Sequence, residues 1–239
     1  PVLVGECLGG ALYTEEVLGE EGFHGIGSIC YHIHPPTLVD EVGEPEVYGP
    51  QYVDDAFLRP LHTGRRGTRP LGLLIDTRGA HFDSRAPSDL ETLLATHPFD
   101  DGALIAAARA AMGEFARSGV TEYPATLDAA GPPPGYVLVI DQPRDAASIR
   151  LGGAGAATFR EMLLIAREEH PGKRIVIMAP PETGQGGRDG HYSEADAVHG
   201  ATLERRRLIP AGLLAGAVAV YVATAQIGFE AIVHGHRPV

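Results

Sequence analysis

The stretch Tyr136 to Gly153, YVLVIDQPRDAASIRLGG, gathers Asp141, Gln142, Arg144, Asp145 and Ser148 directly behind a run of apolar residues. Carboxylates can act as nucleophiles or proton carriers, while an amide, a guanidinium and a hydroxyl can hold a charged or hydroxylated ligand. Val137 to Ile140 run without alternation, which suits a strand buried on both faces of a parallel sheet. The polar residues then fall at the carboxyl end of that strand, the edge at which open α/β sheets bind ligands. An ordinary strand end with a polar loop has the same composition, so these residues alone establish an α/β protein with a polar site and little more.

Other groups are less productive. His32-Ile33-His34 would put two imidazoles on one side of a strand, but no further ligands can be placed beside them, and strand-edge histidines are the better reading. Cys7 and Cys30 lack the paired spacing of a zinc site and are too few for a disulfide framework, so reduced thiols and no metal are expected. Gly9 and Gly10 follow an apolar run without completing a GxGxxG fingerprint. A formal charge of −12 argues against nucleic acid. The basic residues are arginine except Lys173, and they cluster at Arg65, Arg66 and Arg69 and at Arg205, Arg206 and Arg207. Arginine is the better bidentate partner for carboxylate and phosphate, so an anionic sugar or nucleotide suits even this acidic chain; a solvated surface face is the plainer reading of either cluster.

The elements that must position these groups follow from pattern. With 239 residues, 44% apolar and 21% charged, the chain has the composition of an ordinary globular protein and can bury a substantial core. No apolar run approaches the ~20 residues of a membrane helix, and the start has no signal-peptide character, so a cytoplasmic location is expected. A chain opening at Pro1 is also compatible with an excised fragment. Leu71 to Asp76 reads as a second buried strand ending in an acid, and Asp76-Thr77-Arg78-Gly79 as a turn. Ser88 and Glu91 form a capping box for a helix, and alanine-rich Asp101 to Ser118 forms another that Gly119 stops, placed between two halves. Ala129 to Gly135, AAGPPPG, is the natural boundary. Beyond it, strand and helix alternate: a helix at 157–169 with Phe159, Met162, Leu163 and Ala166 on one face, a strand at 174–179, and a loop at 180–190 whose glycine-rich part, Thr183 to Gly190, is expected to be mobile. A short helical segment, a strand near Thr202, a helix at 210–216, a strand at 218–223 and a helix at 226–233 follow.

Taken in order, the blocks VDDAFLRPL at Val53, RPLGLLIDTRGAHFDSRAPSDLETLL at Arg69, VLVIDQPRDAASIRLGGA at Val137, IVIMAPPETGQGGRDGHY at Ile175 and TAQIGFEAIVHG at Thr224 resemble the bacterial β-Kdo glycosyltransferases of capsular polysaccharide biosynthesis. The resemblance runs from about Glu44 to the C-terminus. It implies an α/β fold of two Rossmann-like halves, a GT-B-like glycosyltransferase architecture ending short at the C-terminus, with residues 1–128 as the acceptor-side half and 135–239 as the nucleotide-sugar half. It implies transfer of Kdo from CMP-Kdo, with retention, to a lipid or saccharide acceptor, through a carboxylate nucleophile and without metal or other cofactor. Peripheral association with the inner face of the inner membrane, and a second module or homo-oligomer as partner, are compatible with it.

On this pattern Asp145, Asp141 and Gln142 are the catalytic candidates. Ser148, Pro181, Glu182, Gln226, Gly228 and Glu230 fall on the donor side, and Asp54, Asp55, Arg59, Asp76 and Arg78 on the acceptor side. The chain departs from the family at three places. Ala146 stands where an acid precedes the serine matched by Ser148; Met178-Ala179-Pro180-Pro181-Glu182 replaces Lys-x-His-Pro-Asp; and Ala225 replaces a serine. A catalytically degenerate module, binding a sugar nucleotide or serving as a scaffold, is therefore the alternative.

Overall fold

The computed structural model describes residues 31–33, 38–39, 45–46, 51–57, 73–118, 131–179, 189–206, 208 and 210–239. Its centre is a four-stranded parallel sheet of β6 (Tyr136–Ile140), β7 (Ile175–Met178), β8 (Ala201–Glu204) and β9 (Ala217–Tyr221), in the order β8-β7-β6-β9. The chain thus winds outward from β6 to β7 and β8, then crosses back to lay β9 on the other side. That reversal opens a crevice between the carboxyl ends of β6 and β9, the switch point at which doubly wound sheets bind ligands.

Every residue of β6 is buried, because helices cover both faces. Val137 and Val139 point to one face and pack with Ile149, Phe159, Met162 and Leu163, the last three from the helix Ala156–Glu169. Leu138 and Ile140 point to the other and pack with Leu213 and Leu214 of the helix Pro210–Gly216 and with Ile227 and Ala231 of the helix Ile227–Val233. Each of these side chains larger than alanine, once removed from water, stabilises the fold by about 1.5–3 kcal/mol. The six helices are α1 (Asp89–Thr96), α2 (Gly102–Ser118), α3 (Ala147–Leu151), α4 (Ala156–Glu169), α5 (Pro210–Gly216) and α6 (Ile227–Val233) among the described residues.

The earlier part of the chain is built differently. Strands β1 (Tyr31–Ile33), β4 (Gln51–Asp55) and β5 (Leu73–Asp76) pair antiparallel in the order β1-β4-β5, and β2 (Leu38–Val39) pairs antiparallel with β3 (Pro45–Glu46). Strand–helix alternation with a parallel sheet is therefore seen among the described residues only after residue 131. The expectation that Leu73–Asp76 is a strand buried throughout also needs correction. Ile75 is 41% exposed while its neighbour Asp76 is 2% exposed, as in a strand covered on one face.

Helix α1 has the expected capping box: the Glu91 N–H donates to Ser88 Oγ at 3.1 Å, and the Ser88 N–H donates to Glu91 Oε2 at 2.8 Å. Helix α2 buries no residue, and it meets the parallel half where Phe115 stands edge-on to Phe229 at 6.5 Å. A short helix, α3, forms where a polar loop was one of two readings of the sequence; its N-cap, Ala146, contributes no side-chain bond. Most of the stretch expected to be mobile, Thr183 to Gly190, lies outside the described residues, as do residues 119–130, which include the first two residues of the expected boundary.

Candidate functional site

Asp141 and Gln142 leave the end of β6 in opposite directions. Asp141, 4% exposed, accepts from the backbone N–H groups of Gln142 and His191 at 2.8 Å each and of Tyr192 at 3.2 Å. It thereby clamps the segment that begins at Asp189, where Pro143 also bridges Gly190. Burial pushes the Asp141 carboxyl up against the pull of these three donors. Beside it, the His191 ring stacks on Phe159 at 3.8 Å, with both ring nitrogens buried and unpartnered among the described residues, and burial pushes its pKa down.

Gln142 turns toward β9 instead. Its Nε2 donates to Thr224 Oγ1 at 3.0 Å, its Oε1 accepts from the Thr224 N–H at 3.0 Å, and Thr224 Oγ1 lies 3.2 Å from Ser148 Oγ. Three hydroxyl and amide side chains from β6, α3 and the end of β9 thus form one hydrogen-bonded set across the switch-point crevice. Close packing supports it: a Cβ on Gly152 would lie 2.9 Å from the Thr224 methyl, and one on Gly228 would lie 3.1 Å from Val222.

The antiparallel part of the chain reaches this edge. Gln226 Nε2 donates to the Phe57 carbonyl at 2.6 Å, and the Phe57 ring stacks on Phe229 at 4.7 Å and meets His81 edge-on at 5.6 Å. Ser84 donates to the Leu151 carbonyl through both its N–H and its Oγ, at 3.0 Å each. The segment around His81 to Ser84 therefore lies against α3, beside Thr224.

The candidates read from sequence fall into distinct positions. Asp145 is exposed on the turn after Pro143, and Glu230 is buried at 2% in the first turn of α6. Gln142, Ser148 and Gln226 line the crevice, and Gly228 is a packing position. Pro181, Glu182 and Arg59 lie outside the described residues, and of Asp54 and Asp55 only the backbone, in β4, is described. Asp76 and Arg78 are brought to α1 rather than to the crevice. Asp76 accepts from four backbone N–H groups, those of Arg78 at 2.9 Å, Gly79 at 3.0 Å, Asp89 at 2.7 Å and Leu90 at 3.3 Å. Arg78 pairs with Asp89 at 2.9 Å on the surface, where such pairs contribute about 0–1 kcal/mol. Thr224 and His191 were missed; only their positions behind a strand and behind a glycine-rich loop hinted at them.

Asp76 makes a pH prediction. Burial pushes its carboxyl up, but the N–H groups of Asp89, Gly79, Arg78 and Leu90 outweigh this and hold it below the ordinary carboxylate range. A lowered folded value stabilises the protein in full above the unfolded pKa of about 4, and that contribution is lost as pH falls through the folded value. The stability gap between the parent and Asp76→Asn should therefore narrow from pH 6 down to pH 2, measured by urea midpoints. A gap that is constant or widens on acidification would show that Asp76 is not held ionised by these donors.

Among the described residues no group of three or more His, Cys, Asp or Glu side chains could hold a metal ion, and no helix is long and apolar enough to cross a membrane. Residues 105–239 match a family described as capsule polysaccharide biosynthesis protein. The chain is 30% identical over 190 residues to the capsule polysaccharide modification protein LipA of Neisseria meningitidis, covering 77% of this chain and 27% of LipA. It is 32% identical over 187 residues to the lipopolysaccharide-processing protein LpsZ of Rhizobium meliloti, covering 76% of this chain and 42% of LpsZ. The chain thus spans well under half the length of these curated relatives. Among solved structures it is similar to the KpsC beta Kdo 2,4 transferase of Thermosulfurimonas dismutans, with a TM-score of 0.68 and 30% identity over 78% of this chain and 59% of that one. The KpsC beta Kdo 2,7 transferase of the same organism, with a TM-score of 0.57 and 22% identity over 79% of this chain and 55% of that one, shares the fold.

Proposed function

The chain belongs to the capsule polysaccharide biosynthesis protein family, and from that premise we propose that it is a Kdo transferase-like module that takes CMP-Kdo as donor and a saccharide or glycolipid as acceptor. The observation that carries the proposal is the hydrogen-bonded set of Gln142, Thr224 and Ser148 across the switch-point crevice, joined to the antiparallel part of the chain through Gln226 and Phe57. A nucleotide sugar laid in this crevice meets the Ser148 and Thr224 hydroxyls, which the Gln142 amide holds in position, for its ribose and phosphate. In this reading the parallel sheet of residues 135–239 holds the donor, and residues 1–128, including Asp54, Asp55 and Arg59, hold the acceptor in a GT-B-like arrangement.

Retention follows from two displacements. A carboxylate attacks the anomeric carbon of Kdo and CMP leaves; an acceptor hydroxyl then displaces the carboxylate as its proton passes to a base. Asp145, exposed on the turn behind β6, is the proposed nucleophile. Asp141 positions the neighbouring loop, since its oxygens already accept three backbone N–H groups. Glu230, Pro181 and Glu182 complete the proposed donor side. The second reading, a sugar-nucleotide-binding or scaffolding module without turnover, is favoured by one observation: the Asp141 carboxylate and the Gln142 amide are both occupied in holding the fold.

Incubation with CMP-Kdo separates the two. Turnover should release CMP and leave a Kdo adduct detectable by mass spectrometry on the parent protein and absent from Asp145→Asn. Calorimetric binding of CMP-Kdo without CMP release would establish the binding module instead.

A further inference from the structure

At the opposite edge of the parallel sheet, the amino ends of β7 and β8 and the end of α4 line an open cavity of about 540 Å³. Its walls carry Arg167, His170, Lys173, Arg174 and His199, and none of its ten lining residues is acidic, in a chain of net charge −12. Lys173 is the chain's single lysine. We propose that this cavity binds an acidic saccharide through its carboxylate groups, as a second site separated from the crevice by the length of β6, five residues or roughly 16 Å.

Three of these side chains are held in place for such a task. Arg167 donates to the carbonyls of Asp196 at 3.1 Å and Val198 at 3.3 Å, and its buried Nε has no partner among the described residues. Arg174 donates to the Pro133 carbonyl and lies over the Tyr136 ring at 5.5 Å, and His170 stands edge-on to Tyr221 at 5.9 Å. Anchored guanidiniums lose little freedom when a carboxylate arrives, so more of the ion pairing appears as affinity. The rest of the wall is Ile175, Ala201, Thr202 and two glycines, and a Cβ at Gly172 or Gly200 would meet nothing within 4 Å, which leaves room for a sugar ring. The volume lies in the range of small-molecule sites, about 300–1,000 Å³, and exceeds what one inorganic anion fills. His199 keeps its ring at this wall although its φ of 53° is left-handed, a conformation that Asn adopts more readily than His.

The choice of an acidic sugar rests on the function proposed above; the cavity and its charge do not. The test is an NMR titration of the whole chain with a Kdo–Kdo disaccharide, with maltose and inorganic phosphate as separate arms. The disaccharide should shift the amides of Gly172, Lys173, His199 and Gly200, more weakly at high salt, while maltose leaves them unmoved. The variant Lys173→Glu with His199→Asn should fold and weaken the disaccharide about tenfold or more. Shifts with phosphate but not with the disaccharide, no shifts at all, or shifts indifferent to the double change would each overturn the proposal. CMP release from CMP-Kdo, read on the same samples, keeps the two ideas apart. If the cavity responds and no CMP is released by any variant, the transferase reading fails and this site stands.

Discussion

Gly190→Ala should destabilise the protein by about 3 kcal/mol and lower Tm by about 6–12 °C, although it adds a single methyl group. A Cβ at Gly190 would overlap Asp141 Oδ2 and lie 2.9 Å from its Cγ. Asp141 cannot swing aside at low cost, because its oxygens hold the N–H groups of Gln142, His191 and Tyr192, and a buried donor left without an acceptor costs about 1–3 kcal/mol. Overpacking and lost bonds therefore compound. The discriminating measurement is a double-mutant cycle. Asp141→Ala alone orphans the same donors, and with the carboxylate already gone the Gly190 methyl has space. The double variant should be less destabilised than the sum of the singles by 1 kcal/mol or more, as expected for residues in direct contact. Strict additivity in urea denaturation would mean that the carboxylate and Gly190 do not constrain one another.

That same pair shows how far the sequence could be read. The strands and helices after residue 135 were legible because their signals are local. Val137 to Ile140 form an unbroken apolar run, and Phe159, Met162, Leu163 and Ala166 repeat at helical spacing. Helix α3 was not, since ASIRL is short and its N-cap is an alanine that offers no oxygen. The acids at strand ends were recognisable by type but not by use. Whether Asp141 faces a ligand or its own backbone depends on a segment fifty residues later in the chain, and no local pattern announces that return. Asp76 is a milder case: its bonds to Arg78 and Gly79 follow from the turn, while those to Asp89 and Leu90 require α1 to fold back. Gln142 and Thr224, eighty-two residues apart, meet only because β9 returns beside β6. The antiparallel pairing of the earlier strands was equally hidden, because a short apolar run ending in an acid looks alike in either kind of sheet.

Ala146→Asp combined with Pro180→His should raise CMP release from CMP-Kdo by about 10²–10³-fold over the parent, and by more than the product of the two single changes. The prediction rests on the proposed function and on the two motif positions at which this chain departs from the resemblance: a carboxylate before Ser148 and a histidine beyond β7. Each change alone leaves one half of the barrier. A carboxylate at position 146 gains little while the departing phosphate is unsupported, and support for the phosphate gains little while attack must come from Asp145, one residue away from the position the resemblance gives the acid. Ala146 is well placed for the substitution, since it caps α3 with extended backbone, φ −60° and ψ 135°, and has no side-chain bond to lose. Aspartate is among the preferred N-cap residues and should offset part of the cost of placing a carboxylate where Ala146 now packs against the core. The lysine position offers no such opening, because Met178 is 8% exposed within the apolar cluster below the sheet, where an unpaired ammonium would be strongly destabilising. Circular dichroism and thermal melting on the same preparations separate misfolding from inactivity. A folded double variant that binds CMP-Kdo calorimetrically yet, like the parent, releases no CMP would rule out the transferase reading and leave the binding module.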